Sequence, residues 1–231
     1  MRGLLLLAVL GVAAVVAAPA GAATNECRGL QTCVPVAGPW VVVPAKRSTP
    51  RPQVQFQLSC PKGYIVGGTD AELSDRAIDI QFLATLGAPV NPGISTSADL
   101  VFVATYVGSA ARLPSFRPHL GCMPARGGGS RTPTAVVLAP GKPVVRHVKN
   151  ALLRPGRRVV AIGCAAGERL VDGKSAIAFV RDTPPDASLA GAVSLLQSLA
   201  GGHATATVRT AKLPAGTRAA VQVAAICAGG K

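Results

Sequence analysis

Six cysteines, Cys27, Cys33, Cys60, Cys122, Cys164 and Cys227, constrain this chain more than any other feature. Laying Cys60 over Cys164 aligns two stretches. One reads Gln53-Val54-Gln55-Phe56-Gln57-Leu58-Ser59-Cys60-Pro61-Lys62-Gly63, the other Arg158-Val159-Val160-Ala161-Ile162-Gly163-Cys164-Ala165-Ala166-Gly167, and both have the form strand, Cys, two residues, Gly. A further cysteine follows each at nearly the same distance, Cys122 after 62 residues and Cys227 after 63. The simplest pairing closes Cys60 with Cys122 and Cys164 with Cys227, and leaves Cys27 and Cys33 to close a small N-terminal loop.

The cysteines are read as disulfides because of what precedes them. Met1-Arg2 is followed by an apolar run from Gly3 to Ala18, then Pro19 and the small residues Ala20-Gly21-Ala22-Ala23. That is the pattern of a secretory signal peptide over residues 1–23. An uncleaved anchor is the rival reading, since the run approaches the ~20 residues a spanning helix needs, but Pro19 and the A-x-A pattern favour removal. No second run is long enough to span after cleavage, so a soluble, secreted chain is expected. An even number of cysteines in an exported protein implies a disulfide framework. No cysteine pair has the two-residue spacing of a zinc site, and His119, His147 and His203 are scattered, so no metal ligand set is expected.

Period-2 alternation gives the secondary structure. Val54, Phe56, Leu58 and Cys60 share one face, and Gln53, Gln55, Gln57 and Ser59 the other. Ile78, Ile80 and Phe82 form a second inward row, and Leu100, Phe102, Ala104 and Tyr106 a third. Ala204, Ala206 and Val208 alternate with His203, Thr205, Thr207 and Arg209, and Ala219, Val221, Val223 and Cys227 line the closing strand. Ala200-Gly201-Gly202 reads as the turn of a hairpin, although Ala187–Leu199 could instead form a short helix. Short strands, Gly/Pro turns and two disulfides of about 60 residues imply an all-β chain of two tandem immunoglobulin-like β-sandwich modules, each closed by one long-range disulfide. Trp40, the one tryptophan, lies outside both loops. The expected organisation is an N-terminal disulfide loop and lead-in over 24–50, a β module over 51–123, a Gly/Pro/Arg linker over 124–141 and a second β module over 142–231.

Charge supplies the functional expectation. The formal net charge of +14 becomes +13 once Arg2 leaves with the signal peptide, and between Asp99 and Glu168 every charged side chain is basic. A basic surface attracts anionic polymers in a salt-dependent way. Arg146, Lys149, Arg154, Arg157 and Arg158 are the candidate polyanion-binding residues, with an anionic envelope polymer or polysaccharide as partner. The segment lacks the aromatic platforms that specific nucleic-acid recognition uses. A solvated surface in an Arg-rich composition is the competing reading.

Catalytic motifs are missing. Ile65-Val66-Gly67-Gly68-Thr69-Asp70 resembles the mature N-terminus of trypsin-like proteases, but Ile65 follows Tyr64 rather than a basic residue, and Gly-Asp-Ser-Gly-Gly is absent. It reads as a strand entering a glycine turn. Asp70, Glu72, Asp75 and Asp79 read as a solvated acidic loop drawn toward the basic zone, since a calcium loop would want glycine at Asp75 and glutamate at Gln81. His119 shows no partner in the sequence. No cofactor and no catalytic residue are expected, and the chain reads as a non-enzymatic secreted protein, with a secreted enzyme or enzyme inhibitor lacking a linear motif as the alternative.

Three stretches carry a resemblance: Cys33-Val34-Pro35-Val36-Ala37-Gly38-Pro39-Trp40-Val41-Val42-Val43-Pro44, Cys60-Pro61-Lys62-Gly63-Tyr64-Ile65-Val66-Gly67-Gly68 and Ser115-Phe116-Arg117-Pro118-His119-Leu120-Gly121-Cys122. Over residues 27–135 the chain resembles uncharacterised secreted proteins of high-GC actinobacteria. The resemblance implies export and the order of the modules; that group has no assigned activity, so it supplies no mechanism.

Overall fold

The computed structural model describes residues 24–45, 52–83, 97–109, 113–125 and 144–229. The signal segment, most of the linker and the segment between residues 83 and 97 lie outside the described residues.

The chain is nearly all-β, built from antiparallel sheets tied by three disulfides. In chain order the strands are β1 (Val34–Ala37), β2 (Trp40–Val42), β3 (Gln53–Ser59), β4 (Tyr64–Leu73), β5 (Ile78–Leu83), β6 (Asp99–Tyr106), β7 (Ser115–Pro124), β8 (Val144–Leu152), β9 (Gly156–Gly163) and β10 (Glu168–Val180). A short helix α1 (Ala187–Gly191) follows, then β11 (Val193–Ala200), β12 (His203–Thr210) and β13 (Arg218–Gly229). One sheet runs β1-β7-β2-β10-β13-β8 with β4 on the far side of β7. The other two run β3-β6-β5 and β11-β12-β9.

The alternation read from the sequence has a clear physical outcome in β3, where Val54 and Phe56 are buried and Gln53 and Ser59 are exposed. Strand β6 goes further. Leu100, Phe102, Ala104 and Tyr106 are buried as expected, but Val101 and Val103 on the opposite parity are buried too. The doubtful segment Ala187–Leu199 divides: the Asp186 carboxylate caps α1 by accepting from the Leu189 amide, and the chain then extends as β11. Gly201 and Gly202, both with positive φ, turn β11 back into β12 with Ala200 facing His203.

Two readings need correction. Gly67 and Gly68 do not form a turn. They sit inside β4, where the register against β7 slips between Val66 and Gly68, a β-bulge. Nor do the four acidic residues form one loop, since Asp70 and Glu72 lie on β4 and Asp79 on β5, while Asp75 accepts from the Tyr106 hydroxyl at 3.1 Å.

Registers in the two halves of the chain correspond residue by residue. Ser59 faces Asp99 and Gln53 faces Thr105, while Gly163 faces His203 and Arg157 faces Arg209, each partner 104 positions further on. The bulge recurs at the same offset, Val66/Gly68 in β4 and Leu170/Asp172 in β10. In each half the disulfide joins the two sheets: Cys60, after β3, to Cys122 in β7, and Cys164, after β9, to Cys227 in β13.

The halves share one sheet rather than hanging from a tether. Val41 and Trp40 of β2 face Ala178 and Phe179 of β10. A second lock lies beside this seam. The side chain of Gln222 accepts from the Gln57 amide at 2.6 Å and donates to the Gln57 carbonyl at 2.9 Å, so it completes the backbone pairing of the free edge of β3. Two cores result. One gathers Phe56, Phe102, Phe116 and Tyr106 with Val, Leu and Ala side chains, and the other is built mainly of Val and Ala around Phe179.

Candidate anion-binding face

The five basic residues singled out in the sequence do not share one surface. Arg146, on β8, turns into the seam between the halves and donates to Gln55 Oε1 at 2.8 Å. Burial lowers its guanidinium to about 10, against the opposing pull of Asp172. Lys149 is exposed and reaches the Ala161 carbonyl at 3.4 Å. Arg154 sits in the exposed turn between β8 and β9, and Arg158 donates to the Leu152 carbonyl at the same end.

Antiparallel pairing gathers other cations there. β9 and β11 begin opposite Thr210, where β12 ends, and β13 begins opposite Val180, where β10 ends. Arg154, Arg157, Arg209, Lys212 and Arg218 are therefore carried to one end of the second half, and all five are exposed. Arg157 and Arg209 are direct cross-strand partners on the outer face, with Ser194 on the other side of Arg209. They line an open cleft of about 490 Å³ with Gly156, Gly191, Ala192, Ser194, Thr210 and Ala211, and none of these residues is acidic. Like charges placed directly opposite on neighbouring strands oppose folding. Among the described residues no carboxylate pairs with either guanidinium.

Sequence reasoning missed Arg209. It was visible as the outward member of the His203-Thr205-Thr207-Arg209 row, but its meeting with Arg157 depends on the β9–β12 register.

A second cluster, on the first half, was missed altogether. The N-terminal loop lies across the outer face of β4 and β7, where a Cβ on Gly68 or Gly121 would collide with the carbonyl oxygen of Glu26. Glu26 and His119 are both buried there. His119 Nδ1 lies 3.8 Å from Glu26 Oε1, and Nε2 lies 2.8 Å from Glu72 Oε1. The Glu72 contact is close enough for an ion pair, but it meets Nε2 off the N–H axis and leaves that nitrogen without a hydrogen bond. Arg117, beside Glu72 at 3.9 Å, donates to the Gly38 carbonyl. The cluster of Glu26, Glu72, Arg117 and His119 lies where the N-terminal loop seats on the sheet.

A third grouping brings His147, Glu168 and Cys227 ligand atoms within 4.8 Å of one another. Cys227 is bonded to Cys164, so no thiolate is available and this set does not make a metal site. His147 Nε2 and Glu168 Oε2 instead pair directly at 2.6 Å.

Together these features define a class: a β-rich, sandwich-like protein with three disulfides, of the kind an oxidising compartment maintains, with a cationic end on its second half. No helix among the described residues is long and apolar enough to cross a membrane. No protein-family model, curated protein or solved structure matches the chain.

Proposed function

We propose that this is an exported, non-catalytic binding protein, two tandem immunoglobulin-like modules in which the cationic end of the second module holds anionic polymers of the cell envelope or extracellular space. The repeated registers 104 residues apart support the tandem reading. So does the sheet order, because β3-β6-β5 and β4-β7 follow the B-E-D and C-F pairings of immunoglobulin domains, with the disulfide between the B and F positions and β1 beside β7 where G would lie.

The observation that carries the function is the cation set Arg154, Arg157, Arg209, Lys212 and Arg218 at one loop end, exposed and without carboxylate partners among the described residues. Surface cations that stabilise nothing within the chain are free to displace counterions from a polyanion. The test is binding of the oxidised mature protein to teichoic acid, acidic polysaccharide and DNA from low to physiological salt, beside a variant with Arg154, Arg157 and Arg209 changed to glutamine. Affinity that falls with salt, and by at least tenfold in the variant, is expected. Equal binding by both proteins would remove this end from the function.

A further inference from the structure

The cleft at Arg157 and Arg209 is more selective in its geometry than a diffuse basic surface, and this inference rests on the reading that this end binds anions. A guanidinium is a planar fork that engages two oxygens at once. Two forks rooted on directly opposed residues of adjacent strands converge on one site. A carboxylate or a phosphodiester offers two free oxygens, so a second fork can engage it only through oxygens that the first already holds. A monoester of phosphate or sulfate offers three free oxygens arranged tetrahedrally and can take both forks, with the Ser194 hydroxyl on the same rim.

The walls allow such a group to approach. Gly156, Gly191, Ala192 and Ala211 keep the cleft free of bulk, and no lining carboxylate repels the ligand. The repulsion between Arg157 and Arg209 has no counterpart in the aligned positions of the first half, where Gln53 faces Thr105. The geometry points to a specific site in this cleft for a phosphate or sulfate monoester, selected over carboxylates and phosphodiesters, and carried as a substituent or chain end of an extracellular polymer.

The test is calorimetric titration of the oxidised mature chain with inorganic sulfate, glycerol 1-phosphate, dimethyl phosphate and acetate, with the arginine Nε–H resonances followed by NMR. Sulfate and glycerol 1-phosphate should bind at least tenfold more tightly than the other two. Arg157→Gln and Arg209→Gln should each weaken them at least tenfold, while Arg169→Gln, an equal change of charge on the exposed start of β10, should stay within twofold. Circular dichroism checks that each variant is folded. Parallel titrations with a sulfated polysaccharide and with a polymer ending in phosphate monoesters separate the two sources. Equal affinity for acetate and sulfate, or an Arg209→Gln protein that binds as before, overturns the cleft. Polymer binding without monoester binding would sink the cleft and leave the broader function standing. Monoester binding at the cleft without polymer binding would do the reverse.

Discussion

The two halves share strand order, bulge position and disulfide placement, yet they are stabilised differently. The first buries Phe56, Phe102, Phe116 and Tyr106, and the second relies on Val and Ala around Phe179. A fully buried Phe contributes roughly 1.5–3 kcal/mol, so three against one is a difference of several kcal/mol in the same architecture. Their outer faces differ in the same direction. The first half is overlaid by the disulfide loop that carries Glu26, whereas the second leaves opposed arginines open. The lesson is a division of labour: the aromatic half is covered by its loop, and the alanine-valine half, leaning on its disulfide and its neighbour, leaves its cations exposed.

The largest expected effect breaks that comparison at the disulfides. Their loops are nearly equal, 62 and 63 residues, so in the chain-entropy account each contributes about 4 kcal/mol. Equal contributions have unequal consequences on unequal cores. Cys164→Ala with Cys227→Ala should unfold the second half, whereas Cys60→Ala with Cys122→Ala should lower the unfolding temperature and leave the first half folded. Hydrogen exchange resolved along the chain would distinguish them, and equal loss of protection in the two double variants would contradict the ranking of the cores.

A smaller effect tests whether the halves act independently. Gln222→Leu leaves the Gln57 amide and carbonyl at a covered edge without their partner, at a cost of about 1–3 kcal/mol. The change should lower the urea midpoint and speed exchange at Gln57 more than within either core. If the Gln57 amide remains as protected as before, Gln222 does not hold the seam.

How far the sequence disclosed this arrangement depends on the range of each interaction. β3 was legible because apolar and glutamine side chains alternate without exception from Gln53 to Leu58, a purely local pattern. β11 was ambiguous because Leu195 and Leu196 put apolar side chains on both parities. The paired edge of β12 decides for strand from Val193 onward, and the Asp186 cap sets where the short helix begins. The strands of the lead-in, β1 and β2, were hidden by Gly38-Pro39, which interrupts one continuous edge along β7. Of the site, Arg154 and Arg157 were visible as a charge run and Arg209 as one member of an outward row. The meeting of Arg157 with Arg209, like that of Glu26 with His119, is set by pairing across tens of residues, which no local period encodes.

The smallest expected effect sharpens the comparison at one aligned position. Glu168 in the second half corresponds to Tyr64 in the first by the 104-residue offset, so only the second half has a carboxyl group at the start of this strand. The Glu168 carboxyl is held below its ordinary value, first by the Ala165 amide at 2.8 Å and then by His147. A carboxylate with a lowered folded value stabilises the protein above its unfolded value and ceases to do so as the pH falls through the folded one. Glu168→Gln should therefore lower the urea midpoint at neutral pH, and the gap to the parent protein should close as the solution is acidified through the carboxylate range. Tyr64→Phe should show no such closing gap there, because position 64 carries no carboxyl group. A Glu168→Gln gap that stays constant with pH would mean that the pair acts by packing and neutral hydrogen bonding, and would remove this titrating difference between the two aligned strands.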